Sequence, residues 1–497
     1  MQMCHSRVGL CLVAAWIVAW MGACAGRGKS AESVSLSAIN DKNAKTSDQI
    51  AAIRRAWSAA DAGETDRKSV RESLKRAAWA RGSWAGVRVA AIEELLKDTA
   101  NIEDARGMFC FMLPTETHWQ VIEKIGDEST ARGWKEMATP LVRSWSRPVT
   151  EPPDDKRPER RALAGLYPEQ PVEETVFQVF IGAAPRSCQP LRDRDRQDAW
   201  SLLRRVDRDG ARSLALLRQE PRQGENADPM IEAMRAAARD LHVVPQTGEQ
   251  VAWVQRLRTQ DHAEFWREAA AAVAKLNDEQ AEGLALRHVA ALRWASEHRP
   301  DWLAMNRAGL VAQVRSEMQG RSRHQRPVAA TDVGGSGETL TRWEPVLAWG
   351  DLLSVLIAME ITSDPGVADS LFKQADEDHK DRSTEHGGVV FGRSGGGFEP
   401  AHFPPRPTQR MGDRRFVAST DMIDAGATAL FHYHFHANDY KNADYAGPSR
   451  DDLDYSDRQG AACLVFTFAS RGVLNADYYQ PGGAVLDLGE LRRPPAR

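Results

Sequence analysis

The sequence predicts two structural classes in one chain: a long α-helical region, then an α/β domain of about 150 residues. Three observations carry this. The thirteen tryptophans beyond residue 25 all lie between Trp57 and Trp349, whereas six of the seven tyrosines lie at or after Tyr433. Apolar residues recur at three- and four-residue steps through 45–325, the spacing of one helical face. After 345, short apolar runs are separated by Gly, Pro and Asp turns, the pattern of strands.

The first element is a leader. Residues 1–25, "MQMCHSRVGLCLVAAWIVAWMGACA", place Arg7 before an apolar run from Val8 to Met21. That run is shorter than the roughly 20 residues a membrane span needs, and it fits a secretory signal. Two exits are open: small-x-small cleavage at Ala23-Cys24-Ala25, or a lipobox-like Met21-Gly22-Ala23-Cys24 that leaves a lipidated Cys24. The expected destination is the periplasm or cell envelope, with or without a lipid anchor, or the exterior. Residues 26–44 read as a linker. Cys110, Cys188 and Cys463 are far apart and lack CxxC spacing, so neither a disulfide framework nor a thiolate zinc site is expected, and Cys463 in "AACLVFTF" reads as a buried thiol.

Residues 45–330 read as helix after helix. In "VRVAAIEELLKD", Val89, Ile92 and Leu96 share one face. "MIEAMRAAARDLHVV", "HAEFWREAAAAVAKLNDEQ" and "EGLALRHVAALRWASEH" repeat the style. Short paired helices resemble HEAT-like repeats stacked in an α-solenoid. No strict period runs through them, so a non-repetitive helical region stays open. The tryptophans and arginines here are expected in cores and on solvated faces. The formal net charge of −4 and the lack of a polybasic stripe give no nucleic-acid footprint.

Residues 331–344 read as a second linker and 345–497 as the α/β domain. "WEPVLAWGDLLSVLIAME" and "PGVADSLFKQADEDHK" are expected helices. "GGVVFG", "RRFVAST", "TALFHYHFH", "ACLVFTFAS", "LNADYYQ" and "GAVLDLG" are expected strands. "FGRSGGGFEPAHFPPRPTQRMG" has the Gly and Pro content of a flap.

The chemistry concentrates in "FHYHFHANDYKNADYAGPSRDDLDY". Alternate residues of a strand face one side, so His432, His434 and His436 form a row with Phe431, Tyr433 and Phe435 opposite. Imidazoles on a strand can converge on one zinc ion, and a catalytic zinc needs three protein ligands and an open position. Alternating histidines also mark a solvated strand face. Asp452, in the first turn of a helix that Ser449 would open, can supply a third ligand. Ser449 and Asp452 also read as a helix capping box, with Pro448 before the cap. Glu385 precedes the "GGVVFG" strand.

Glu385 in "EHGGVVF", His434 and His436 in "YHFHA", and Ser449 with Asp452 in "PSRDDL" stand in the order Glu, His-x-His, Ser-x-x-Asp. In this the C-terminal part, roughly 365–490, resembles the JAMM zinc metallopeptidases, whose domain is cytidine-deaminase-like. Two departures are visible. Ala437 stands where the family usually has Pro, and twelve residues separate His436 from Ser449, more than the family's usual spacing. The resemblance implies that His434, His436 and Asp452 hold Zn2+, with His432 one step deeper as a supporting or alternative ligand. It implies that the metal lowers the pKa of a bound water from 15.7 toward about 7. Glu385 would serve as general base and then acid, and Ser449 would hold the oxyanion. The expected reaction is hydrolysis of a peptide, isopeptide or smaller amide, with a protein or peptide as substrate. A different class is also open: a non-catalytic interaction protein with HEAT-like repeats and a metal-free domain of the same fold. Oligomeric state is not legible.

Overall fold

The computed structural model describes residues 36–41, 43–149, 151–185, 192–220, 227–324 and 338–495. The leader, with Cys24, and residues 26–35 and 331–337 of the two linkers lie outside the described residues. No described helix is long and apolar enough to cross a membrane.

The chain divides into two compact units, Met1–Ile125 and Gly126–Arg497. The first contains α1 (Thr46–Asp61), α2 (Arg67–Trp79), α3 (Ala85–Leu95) and α4 (Ile102–Met112). The helical spacing read from the sequence is what buries Val70, Leu74 and Ala77 on α2, whose cap Asp66 accepts the Ser69 N–H at 2.9 Å. Cys110 on α4 is disulfide-bonded, and Cys463 is free and buried. The bond at Cys110 departs from the expectation, because sequence separation says nothing about which cysteines the fold brings together.

After α5 (Trp119–Arg132) the second unit continues helical through α6 (Ala138–Ser146), α7 (Pro158–Leu166), α8 (Val172–Phe180), α9 (Arg192–Val206), α10 (Pro229–Asp240), α11 (Gly248–Leu257), α12 (Ala263–Val273), α13 (Val289–His298) and α14 (Arg307–Glu317). Two long helices follow, α15 (Trp349–Ser363) and α16 (Pro365–Lys380). α15 is apolar on every side and buried on every side, as such a helix must be. Asp364 ends α15 and caps α16, accepting from Gly366 N at 2.7 Å and Val367 N at 3.3 Å, with Pro365 at the first helical position.

The C-terminal third forms a six-stranded mixed sheet in the order β2-β1-β3-β4-β5-β6. Its strands are β1 (Gly387–Gly392), β2 (Phe398–His402), β3 (Phe431–His436), β4 (Cys463–Ser470), β5 (Val473–Gln480) and β6 (Ala484–Arg492). Only β3 and β4 run parallel; their crossover is α17 (Arg450–Gln459). The expectation of helices followed by an α/β sheet therefore holds. One continuous apolar core runs from α10 through α15 and α16 to Phe431, Tyr433 and Phe435 of β3. Those aromatics face α16, where Tyr433 Oη donates to Gln374. A smaller cluster of Leu453, Cys463, Val465, Tyr479 and Val485 packs α17 on the opposite face.

One local reading is corrected. "RRFVAST" is not a strand: it is an irregular segment in which the Arg415 carbonyl accepts the Glu385 N–H at 3.4 Å. Part of the Gly/Pro-rich stretch, whose composition permits a flap, is a strand. Phe398–His402 pairs with β1 as the edge of the sheet, because Gly396 and Gly397, with φ of 81° and 78°, turn the chain back.

Candidate metal centre

The strand alternation that separates aromatic from histidine decides the site. His432, His434 and His436 leave β3 on the α17 face. β1 pairs antiparallel to β3 with Gly387 opposite His434. Glu385, two residues before Gly387, therefore emerges on that same face. Gly387 has to be small. A Cβ there would lie 2.7 Å from the Phe416 ring and closer still to the Tyr433 carbonyl. Phe416 in turn stacks on His434, with ring centroids 5.4 Å apart and planes at 12°.

Two imidazoles and two carboxylates converge. His434 Nε2 and His436 Nε2 are 3.2 Å apart. Asp452 Oδ1 lies 3.2 Å from His434 Nε2, and Oδ2 lies 3.5 Å from His436 Nε2. A Glu385 carboxylate oxygen and one nitrogen of each ring all fall within 4.8 Å of one another. The other face of each ring is occupied. His436 Nδ1 lies 3.3 Å from the Tyr445 carbonyl, which only accepts, so Nδ1 carries a proton and Nε2 is the ring atom turned toward the cluster. His434 Nδ1 lies 3.5 Å from Tyr479 Oη. Partners behind the ligand rings are how proteins orient metal-binding histidines. Neither Tyr445 nor Tyr479 was legible as part of the site, since each comes from a separate element with no motif of its own.

Asp452 is brought there by α17. Ser449 caps the helix, its Oγ accepting from Asp452 N at 3.3 Å, and Asp452 Oδ2 accepts from Ser449 N at 2.7 Å. The capping box is real, and the same carboxylate faces the histidines. Ser449 and Asp452 both line a cleft of ≈720 Å³ with Glu385, Arg415, Phe416 and Lys441.

His432 stands apart. It is buried, with Nδ1 2.8 Å from Tyr455 Oη and its ring packed so close to Gly426 that no Cβ would fit there. Burial lowers its pKa to about 4. It is not in the group that Glu385 forms with His434 and His436.

Burial and opposite charge compete in the electrostatics of the cluster. Burial raises the Glu385 pKa, against the pull of His436 and His434. Burial likewise works against charging His436, but the hydrogen bond to Asp452 and the charges of Glu385 and Asp452 outweigh it and push its pKa up to about 9. Burial also opposes ionising Asp452, and His434 and His436 overcome that and hold it well below the usual carboxylate range. The carboxylates that favour a proton on His436 would equally favour a divalent ion.

Comparison of the chain with protein-family models, with curated proteins and with solved structures finds no match in any of the three.

Proposed function

We propose that the protein is an exported, zinc-dependent hydrolase of amide bonds, acting on a peptide or isopeptide, with a JAMM-like C-terminal domain. The observation that supports this most is the convergence of His434, His436, Asp452 and Glu385 from β3, α17 and the approach to β1. The donor set fits the ion: two borderline imidazole nitrogens with one carboxylate oxygen are a combination zinc takes, and three ligands leave a position open. Bound there, zinc supplies Lewis acidity toward the scissile carbonyl and its attacking water.

The chain's own residues do the rest. Glu385, whose carboxylate burial makes more basic, accepts a proton from the attacking water and returns it to the leaving amine. Ser449, at the cleft wall, donates its hydroxyl to the developing oxyanion. Phe416 and Tyr479 keep His434 in place. The helical region, HEAT-like in this reading, presents or excludes protein substrates. Export agrees with the leader-like N-terminus and with a disulfide at Cys110.

Zinc titration of the purified chain tests the reading. His434→Ala and Asp452→Ala should each bind one equivalent fewer than wild type. If both variants bind as much zinc as wild type, the centre does not exist and the interaction-protein alternative takes its place.

A further inference from the structure

A second group of metal-type donors lies on the other face of the sheet edge. Glu385 and His386 are neighbours in an extended segment, so their side chains leave on opposite sides. Glu385 points to the cleft. His386 points toward α16, the side on which His402 of β2 also emerges, since His402 pairs with Gly388 and Gly388 packs against the Tyr433 ring. Glu377, near the end of α16, completes the group: one donor atom from each of Glu377, His386 and His402 lies within 4.8 Å of the others. His402 Nδ1 is 3.6 Å from Glu377 Oε2, and the two imidazole centroids are 5.2 Å apart.

The hydrogen bonding leaves donors unused. His386 Nε2 lies 3.1 Å from Asp381 Oδ2, an arrangement that places its proton on Nε2. Its Nδ1 is buried and has no hydrogen-bond partner among the described residues, while His402 turns Nδ1 toward Glu377. Buried ring nitrogens normally find a partner. His386 is only 6% exposed, so water does not readily serve it. A ligand imidazole whose other nitrogen is held by a carboxylate is the usual arrangement around zinc. Its backbone is fixed too, with N–H donating to Asp378 and the carbonyl accepting from Phe435 N at 3.0 Å.

We propose that Glu377, His386 and His402 form a second divalent-cation site, of the zinc class, that ties the end of α16 to the β1–β2 hairpin. Zinc–nitrogen bonds of about 2.0–2.1 Å place tetrahedral ligands roughly 3.3 Å apart. The Glu377–His402 separation is already close to that, and Glu377, exposed at the helix end, is free to follow. A cation there holds the backbone at His386 and, through the adjoining peptide, the position of Glu385. Glu377, His386 and His402 are positioning residues for the cleft, not part of its chemistry. The site does not depend on the function proposed for the first centre.

Calorimetric titration of the full chain with Zn2+ alone tests this. Wild type should bind two equivalents. Glu377→Ala and His402→Ala should each bind one, Asp452→Ala should bind one, and Asp452→Ala combined with His402→Ala should bind none. Glu377 is exposed, so its variant reports binding without threatening the fold. The inference is overturned if Glu377→Ala and His402→Ala both bind as much zinc as wild type, or if Asp452→Ala alone removes all of it. A wild type that binds one equivalent, lost in His402→Ala and kept in Asp452→Ala, upholds the second site and sinks the first.

Discussion

Asp452 serves Ser449 and His434 with different oxygens: Oδ2 closes the helix cap on Ser449 N at 2.7 Å, and Oδ1 stands 3.2 Å from His434 Nε2. Capping and ligation are therefore separable by substitution. Asp452→Asn keeps an acceptor for the Ser449 N–H, and Asp452→Ala does not. Both should lose the zinc of this centre. Among the two, the Ala variant should be less stable by about 1 kcal/mol, read from thermal or denaturant unfolding. Equal stability would show that the cap contributes nothing.

Glu385→Gln keeps the shape of the side chain and removes its basicity. Zinc binding should be retained and hydrolysis of a susceptible amide should fall by about 10²–10⁴-fold, measured as turnover at zinc saturation. Full activity in this variant would mean that another group moves the proton.

His432→Ala should weaken zinc binding at the first centre only modestly, because its Nδ1 is engaged by Tyr455 and its ring is packed against Gly426. The larger effect should be on stability, through the cavity left and the stranded Tyr455 hydroxyl. If His432→Ala abolishes zinc binding while His436→Ala does not, the ligand pair is His432 and His434.

Asp195 gives a pH dependence away from the site. Burial, reinforced by Asp198 and opposed by Arg143, raises its pKa from 3.8 to about 6. The folded state thus prefers it neutral. Its ionisation costs stability that is intact below pH 3.8, is lost progressively as pH rises toward 6, and stays lost above that. Relative to wild type, Asp195→Asn should be more stable at pH 8 than at pH 4, because only the wild type loses stability as pH rises through this range. Unfolding midpoints across this range check the slope. A gain independent of pH would assign the effect to packing.

Much of this was written locally. The three- and four-residue periodicity of "VRVAAIEELLKD" and the unbroken apolar run in "DLLSVLIAME" required helices wherever they were placed, because only one helix face or a wholly buried helix satisfies them. The alternation in "FHYHFH" required the histidines to share a face, because a strand allows nothing else. Glu385, Ser449 and Asp452 stood out only through the resemblance of their order to that of a known family; read locally, they were a surface carboxylate and a helix cap. What no local pattern contained was which distant segments would meet. "RRFVAST" has the composition of a strand but became the irregular wall that seats Phe416 on His434, since β2 had already taken the edge beside β1. Tyr445, Tyr479, Glu377 and His402 acquired their roles from strand register and from the helices packed on each face. Backbone conformation depends on near neighbours, but convergence depends on long-range pairing, and that is settled only when the whole core closes.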